Sequence, residues 1–268
     1  MTLLSRVGLL IIFGVWLFLS DAIALPPMNL PYGATPISHR IYDLHMLTFY
    51  LCVGIGVIVF GALMYSLIKF RKSRGVIAEN THEHLGIEIV WTVIPFLILV
   101  IMAIPATRLL MDIHDTSRPA LDIKITGYQW KWKYEYLDQG ISYFSNLSTP
   151  SDEIYRHAAK NPWYLLEVDH PLVVPIHQKV RILVTSNDVI HSWWVPDLGV
   201  KQDAVPGYIN DNWFTITKPG IYRGQCAELC GVNHSFMPIV VKAVSPIEFA
   251  QWVKQQTAHS TLKEHRHD

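Results

Sequence analysis

Five side chains in the C-terminal half of the sequence could hold a soft metal ion. Four lie on one stretch, Cys226-x3-Cys230-x3-His234-x2-Met237, and the fifth, His191, stands upstream at what reads as the end of a strand. Thiolate, imidazole and thioether donors together favour copper over hard cations such as Mg²⁺ or Ca²⁺. A single blue-copper ion takes two His, one Cys and a weak axial Met, and this set has one Cys more. Two thiolates can bridge two copper ions, leaving each with one His and one weak axial ligand. Met237 would serve one ion and a backbone carbonyl the other. Bridging spreads one electron over both metals, so such a site suits rapid electron transfer better than chemistry on a substrate. Cys226 and Cys230 alone would fit a disulfide in an oxidising compartment, but that bond accounts for neither His234 nor Met237. His191 is the weakest member by spacing, being one of 13 histidines.

Ligands drawn from distant segments need a stiff scaffold, and the surrounding sequence supplies short strands. Residues 121–126, 179–186, 212–217 and 237–244 alternate or are rich in β-branched side chains, and the turn at 217–220 separates two of them. Strands of this length and spacing predict a β-sandwich or Greek-key barrel. Tyr128, Trp130, Trp132, Tyr134 and Tyr136 alternate, which puts Trp130, Trp132, Tyr134 and Tyr136 on one strand face, with core packing as the plain explanation. Ser245, Pro246 and Glu248 form a capping box with proline at the first helical position, followed by Phe249, Trp252 and Val253 at helical spacing. Residues 138–162 have no strong period and read as a surface excursion. Residues 257–268 read as a loose polar tail.

The N-terminal half is of another kind. Residues 1–24 carry Arg6, an apolar run from Leu9 to Ser20, and small residues at Ala22 and Ala24, the pattern of a cleavable signal peptide. Residues 25–45 then read as an exported segment. Met46 to Ile68 and Ile89 to Thr107 have no formal charge and suit membrane-spanning helices, giving a transmembrane hairpin over 46–107. Lys69, Arg71, Lys72 and Arg74 place the connecting loop in the cytoplasm by the positive-inside rule. Both termini and the 108–256 domain would therefore be periplasmic, on the outer side of an inner (cytoplasmic) membrane. Pro95 and Pro105 should kink or end the second span, Cys52 reads as a small buried hydrophobe, and Glu88 stands at the inner membrane edge, where an ionisable group is a functional candidate or a solvated carboxylate.

Composition agrees with a membrane protein and removes other classes. Of 268 residues, 50% are hydrophobic and only 16% charged, and 22 Lys+Arg balance 22 Asp+Glu, so nothing favours a nucleic-acid partner. Phosphate-cradling glycine loops and the common hydrolase motifs are absent from the sequence.

Residues 127–136, 188–207 and 226–240 resemble the corresponding segments of subunit II of haem–copper cytochrome c oxidases, in the same order behind two helices. The resemblance implies a cupredoxin-like Greek-key β-barrel carrying the binuclear CuA centre. It assigns His191, Cys226, Cys230, His234, Met237 and the carbonyl of Glu228 as copper ligands, and gives the Glu228 side chain to a Mg²⁺ site shared with subunit I. It also implies that Trp130 is the ring through which electrons arrive from cytochrome c, and that Glu88 marks the mouth of a proton-uptake path. The expected function is electron transfer to the haem–copper centre of subunit I, where O2 becomes water with proton translocation. No C-x-x-C-H occurs, so the donor would be a separate cytochrome c. Asp138, Asp188, Asp197, Asp203 and Asp211 are acids that could form its docking patch, or ordinary solvated loop charge. Two other readings use the same residues: a membrane-anchored copper chaperone or thiol oxidoreductase, and an isolated anchored cupredoxin.

Overall fold

The computed structural model describes residues 29–77 and 83–264, so the expected signal peptide lies outside the described residues. Among the described residues two long helices come first, α1 (Pro36–Lys69) and α2 (Leu85–Ile113). Both are apolar enough to cross a membrane, and none of the most apolar window of either is buried within the protein. A helix hydrophobic on every side needs lipid or another chain around it. The 34 residues of α1 reach roughly 50 Å at the usual rise of about 1.5 Å per residue, well beyond the hydrocarbon thickness.

The surplus sits at the domain side. Residues 36–45, expected as part of a separate exported segment, form the first turns of α1, started by a reciprocal Thr35–Ser38 capping box with Pro36 just inside it. Pro95 and Pro105 lie inside α2, which continues to Ile113, so neither proline ends it. Cys52 is exposed on α1 rather than buried, because no second layer of protein covers that face among the described residues.

Ten strands follow: β1 (Leu121–Tyr128), β2 (Lys131–Tyr136), β3 (Ile141–Ser145), β4 (Leu172–Pro175), β5 (Val180–Ser186), β6 (His191–Val195), β7 (Val200–Ala204), β8 (Asn210–Phe214), β9 (Gly220–Cys226) and β10 (Pro238–Val244). They form two five-stranded sheets, ordered β3-β2-β1-β5-β8 and β4-β10-β9-β6-β7. The pairs β1–β5 and β4–β10 are parallel and the others antiparallel. Alternation decides what faces inward: Ile123 and Ile125 of β1, Trp132, Tyr134 and Tyr136 of β2, and Ile182 and Val184 of β5 are fully or almost fully buried. Trp193 of β6 stacks on Phe214 of β8 with ring centroids 6.3 Å apart, joining the two sheets. The architecture is the expected one, a two-helix hairpin followed by a cupredoxin-like β domain.

Three local expectations change. Residues 138–162 contain strand β3, whose residues Ile141 and Ser145 are buried, and the short helix α3 (Ser151–Ile154), so the segment is not wholly a surface excursion. The C-terminal helix α4 (Pro246–Glu264) runs through most of the residues read as a loose tail. Its start is the predicted capping box: Glu248 accepts from the Ser245 N–H at 2.9 Å, and the Ser245 hydroxyl accepts from the Glu248 N–H at 3.3 Å. Trp130 leaves the aromatic face, because β2 begins at Lys131 and Trp130 occupies the turn from β1.

Candidate metal centre

The five soft donors converge at one end of the sandwich. Cys226 ends β9, Met237 immediately precedes β10, and Cys230 and His234 lie on the connection between them, with His234 opening a 3₁₀ turn. Pairing of β9 with β10 fixes the ends of this loop, and the Cys226 N–H donates to the Met237 carbonyl at 3.1 Å. His191 begins β6, the neighbour of β9, and Ala227 N–H donates to the Ser192 carbonyl at 3.0 Å. Gly127 of β1 leaves room for the imidazole, since a Cβ there would stand 2.8 Å from His191 Cδ2.

The two sulfurs lie 3.8 Å apart, and both cysteines are free. A disulfide holds its sulfurs at about 2.05 Å, so this pair is unbonded. His191 Nδ1 lies 4.0 Å from Cys226 Sγ, and His234 Nδ1 lies 3.5 Å from Cys230 Sγ. Met237 Sδ is 4.0 Å from Cys230 Sγ, and the Glu228 carbonyl oxygen is 3.4 Å from Cys226 Sγ. Each thiol thus has its own imidazole and its own weak donor. His191, Cys226 and Cys230 satisfy the geometry of a metal-holding group, with ligand atoms all within 4.8 Å of one another. A donor set of two thiols, two imidazole nitrogens, a thioether and a carbonyl fits copper.

Burial opposes ionisation of both thiols, with unequal results. At Cys226, hydrogen bonds with His191 and the Ser192 backbone outweigh it, and the thiol falls to about 7. At Cys230, burial and the neighbouring Cys226 act together and push the thiol up to about 12. A cation between the sulfurs would favour the thiolate at both.

Two residues with no predicted ligand role complete the site. Asp188 Oδ1 lies 2.8 Å from His191 Nε2, and its other oxygen accepts the Gln129 N–H at 2.7 Å. Burial would raise the Asp188 carboxyl, but hydrogen bonds from His191, Gln129 and Val189 hold it below the ordinary carboxylate range. Gln129 Nε2 and Trp130 Nε1 both donate to the Cys230 carbonyl at 3.0 Å, so the β1–β2 turn lies against the ligand loop. Gly231, at φ 113°, is in a backbone region that favours glycine, and a Cβ there would press on the Trp130 ring at 3.0 Å. The D-x-x-H spacing of Asp188 to His191 is the one trace of this contact in the sequence, and it is too common a pattern to single the residue out.

The remaining expected residues lie apart from the cluster. The Glu228 side chain is exposed, although its carbonyl faces the sulfurs. Glu88 occupies the first turn of α2, where its carboxylate accepts from the His84 N–H at 3.2 Å. Of the five acids named for a docking patch, Asp138 and Asp203 are exposed and the other three have local contacts or burial. Asp188 is committed to His191, Asp211 accepts from the Thr116 hydroxyl at 2.6 Å, and Asp197 is half-buried with its carboxyl raised by that burial.

Residues 121–244 match the family described as cytochrome C oxidase subunit II, periplasmic domain, and residues 25–109 match its transmembrane domain. The chain is 40% identical over 246 residues to a probable cytochrome c oxidase subunit 2 of Rickettsia bellii, covering 90% of each. This chain belongs to the cytochrome c oxidase subunit II family. Another member, cytochrome c oxidase subunit 2 of Arabidopsis thaliana, is 41% identical over 256 residues, covering 92% of this chain and 97% of that one. Among solved structures, the periplasmic domain of subunit II of the Bradyrhizobium japonicum oxidase is similar at 41% identity and a TM-score of 0.48, covering 54% of this chain and 98% of that one. Membership agrees with the two membrane-length helices and with a His/Cys/Cys site suited to copper. A thiol oxidoreductase would place its cysteines in a thioredoxin-like βαβ unit, whereas here they lie between antiparallel strands.

Proposed function

We propose that this chain is the electron-transfer subunit of a haem–copper terminal oxidase. It accepts electrons from cytochrome c at a binuclear copper site and delivers them to subunit I, where O2 is reduced to water with proton translocation. His191, Cys226, Cys230, His234, Met237 and the Glu228 carbonyl would hold the two ions. Copper held by these residues would supply one-electron redox chemistry. The protein's part is to keep the donors in place. The sheets fix His191, Cys226 and Met237, and burial of both thiols keeps water from the sulfurs. Met237 and the carbonyl, as weak donors, tune the potential rather than carry the assembly.

Trp130 is the proposed ring through which electrons arrive, supported by its half-buried position and its hydrogen bond to the Cys230 carbonyl. The exposed Glu228 carboxylate is the proposed protein ligand to a Mg²⁺ shared with subunit I, and Glu88 the proposed start of proton uptake. The domain would lie on the periplasmic face, the side to which a signal sequence and a hairpin with its basic loop in the cytoplasm would assign it.

The observation that carries the reading is the pair of unbonded thiols, 3.8 Å apart, each facing a ring nitrogen. Copper analysis and electron paramagnetic resonance on the full chain purified with its partner subunits test it. Two coppers assigned to this chain with a delocalised mixed-valence signal are expected. One copper with a single-site hyperfine pattern would overturn it.

A further inference from the structure

Between the domain-side ends of α1 and α2 lies a pocket of about 370 Å³. Leu47, Pro105 and Leu109 give it apolar walls, and Arg40, Asp43 and Arg108 give it charge. Arg40 is committed to an ion pair with Asp112. Arg108 and Asp43 line the same space, yet neither has an ion-pair partner among the described residues. An unpaired cation and an unpaired anion that face one cavity without meeting present complementary sites for the two ends of a zwitterion.

The level of the pocket narrows the ligand. The uncharged stretch of α1 begins at Met46 and that of α2 ends at Thr107, so the pocket straddles the border between hydrocarbon and headgroup zones. A guanidinium binds phosphate through paired N–H donors, and basic pockets between membrane helices bind phospholipid headgroups; here Asp43 adds an acid to such a pocket. We infer that this pocket holds the headgroup of a zwitterionic aminophospholipid, its phosphate on Arg108 and its ammonium on Asp43, with acyl chains along the apolar helix faces. An anionic headgroup would leave Asp43 facing negative charge. A soluble zwitterion would gain nothing from Leu47 and Leu109.

The full-length chain, purified from its membrane in mild detergent, is incubated with equal amounts of phosphatidylethanolamine and phosphatidylglycerol, washed, and its retained lipid counted by mass spectrometry. Phosphatidylethanolamine should be retained at about tenfold excess, the scale of one charge-assisted contact. Arg108→Gln should lose the retained lipid, and Arg108→Lys should keep most of it, separating loss of the contact from loss of the fold. Asp43→Asn should keep lipid but lose the preference. Equal retention by wild type and Arg108→Gln, or a wild-type preference for phosphatidylglycerol, would overturn the inference.

Discussion

His191 can serve a metal through Nδ1 only if the ring proton stays on Nε2, and Asp188 is placed to keep it there at 2.8 Å. Removing that charge frees the ring to turn and to exchange tautomers. Asp188→Asn is therefore expected to weaken copper binding by roughly 10–100-fold, the usual effect of losing a partner behind a ligating histidine. Competition with a chelator of known affinity measures this, and wild-type affinity would remove Asp188 from the site. Trp130 makes a different kind of contact, donating to the Cys230 backbone carbonyl rather than to any of the proposed ligand atoms. Trp130→Ala should slow reduction by cytochrome c while leaving the copper spectrum unchanged; stopped-flow mixing reads the rate, and an undiminished rate would exclude the ring from the route. At this scale the convergence of the soft donors was legible, because such residues at such spacing have few other uses. Asp188 was hidden among surface acids, since only the folded turn brings Gln129, Asp188 and His191 together.

Elements were legible where a pattern repeats and obscure where it breaks. Alternation located β1, β5, β8 and β10, and failed at Trp130, where a turn interrupts the strand without changing the aromatic spacing. The β3–β4 connection shows why the 138–162 segment looked featureless: polar clamps hold it, and these have no period. The Asp169 carboxylate accepts from Asn146 N at 2.7 Å, Asn146 Nδ2 at 2.9 Å and His170 N at 2.7 Å. Burial would raise this carboxyl, but the Asn146 and His170 contacts outweigh it and leave it below its ordinary value of 3.8. A carboxyl depressed in the folded state stabilises above its unfolded pKa and loses that contribution as pH falls through the folded value. Hydrogen-exchange protection over 147–168, relative to the intrinsic rate at each pH, should therefore hold at neutral pH and fall below about pH 4, whereas Asp169→Ala should lower it already at pH 7. Unchanged exchange in the variant would show that the clamp does not hold the segment.

Across the whole molecule, the hairpin and the sandwich interlock. The Ala34 N–H donates to the Asp197 carbonyl at 2.7 Å, Thr35 Oγ1 donates to the Leu198 carbonyl at 2.9 Å, and Trp213 Nε1 donates to the Asp112 carbonyl at 3.1 Å. Lys179 closes the end of α2 by donating to the carbonyls of Asp115 and Ser117. Both helix ends are therefore hydrogen-bonded into the β domain that carries the Cys226–Met237 loop. That arrangement works only if both ends of the hairpin face the domain's compartment and the loop of Lys69, Arg71, Lys72 and Arg74 faces the other. Single cysteines at two exposed positions, Ser73→Cys in the loop and Asp138→Cys in the β2–β3 turn, test the orientation with a membrane-impermeant maleimide and peptide mapping. Asp138→Cys should label in intact spheroplasts and Ser73→Cys only after lysis. The reverse pattern would place the β domain in the cytoplasm, where a periplasmic cytochrome could not reach it, and would remove the proposed electron donor along with the orientation.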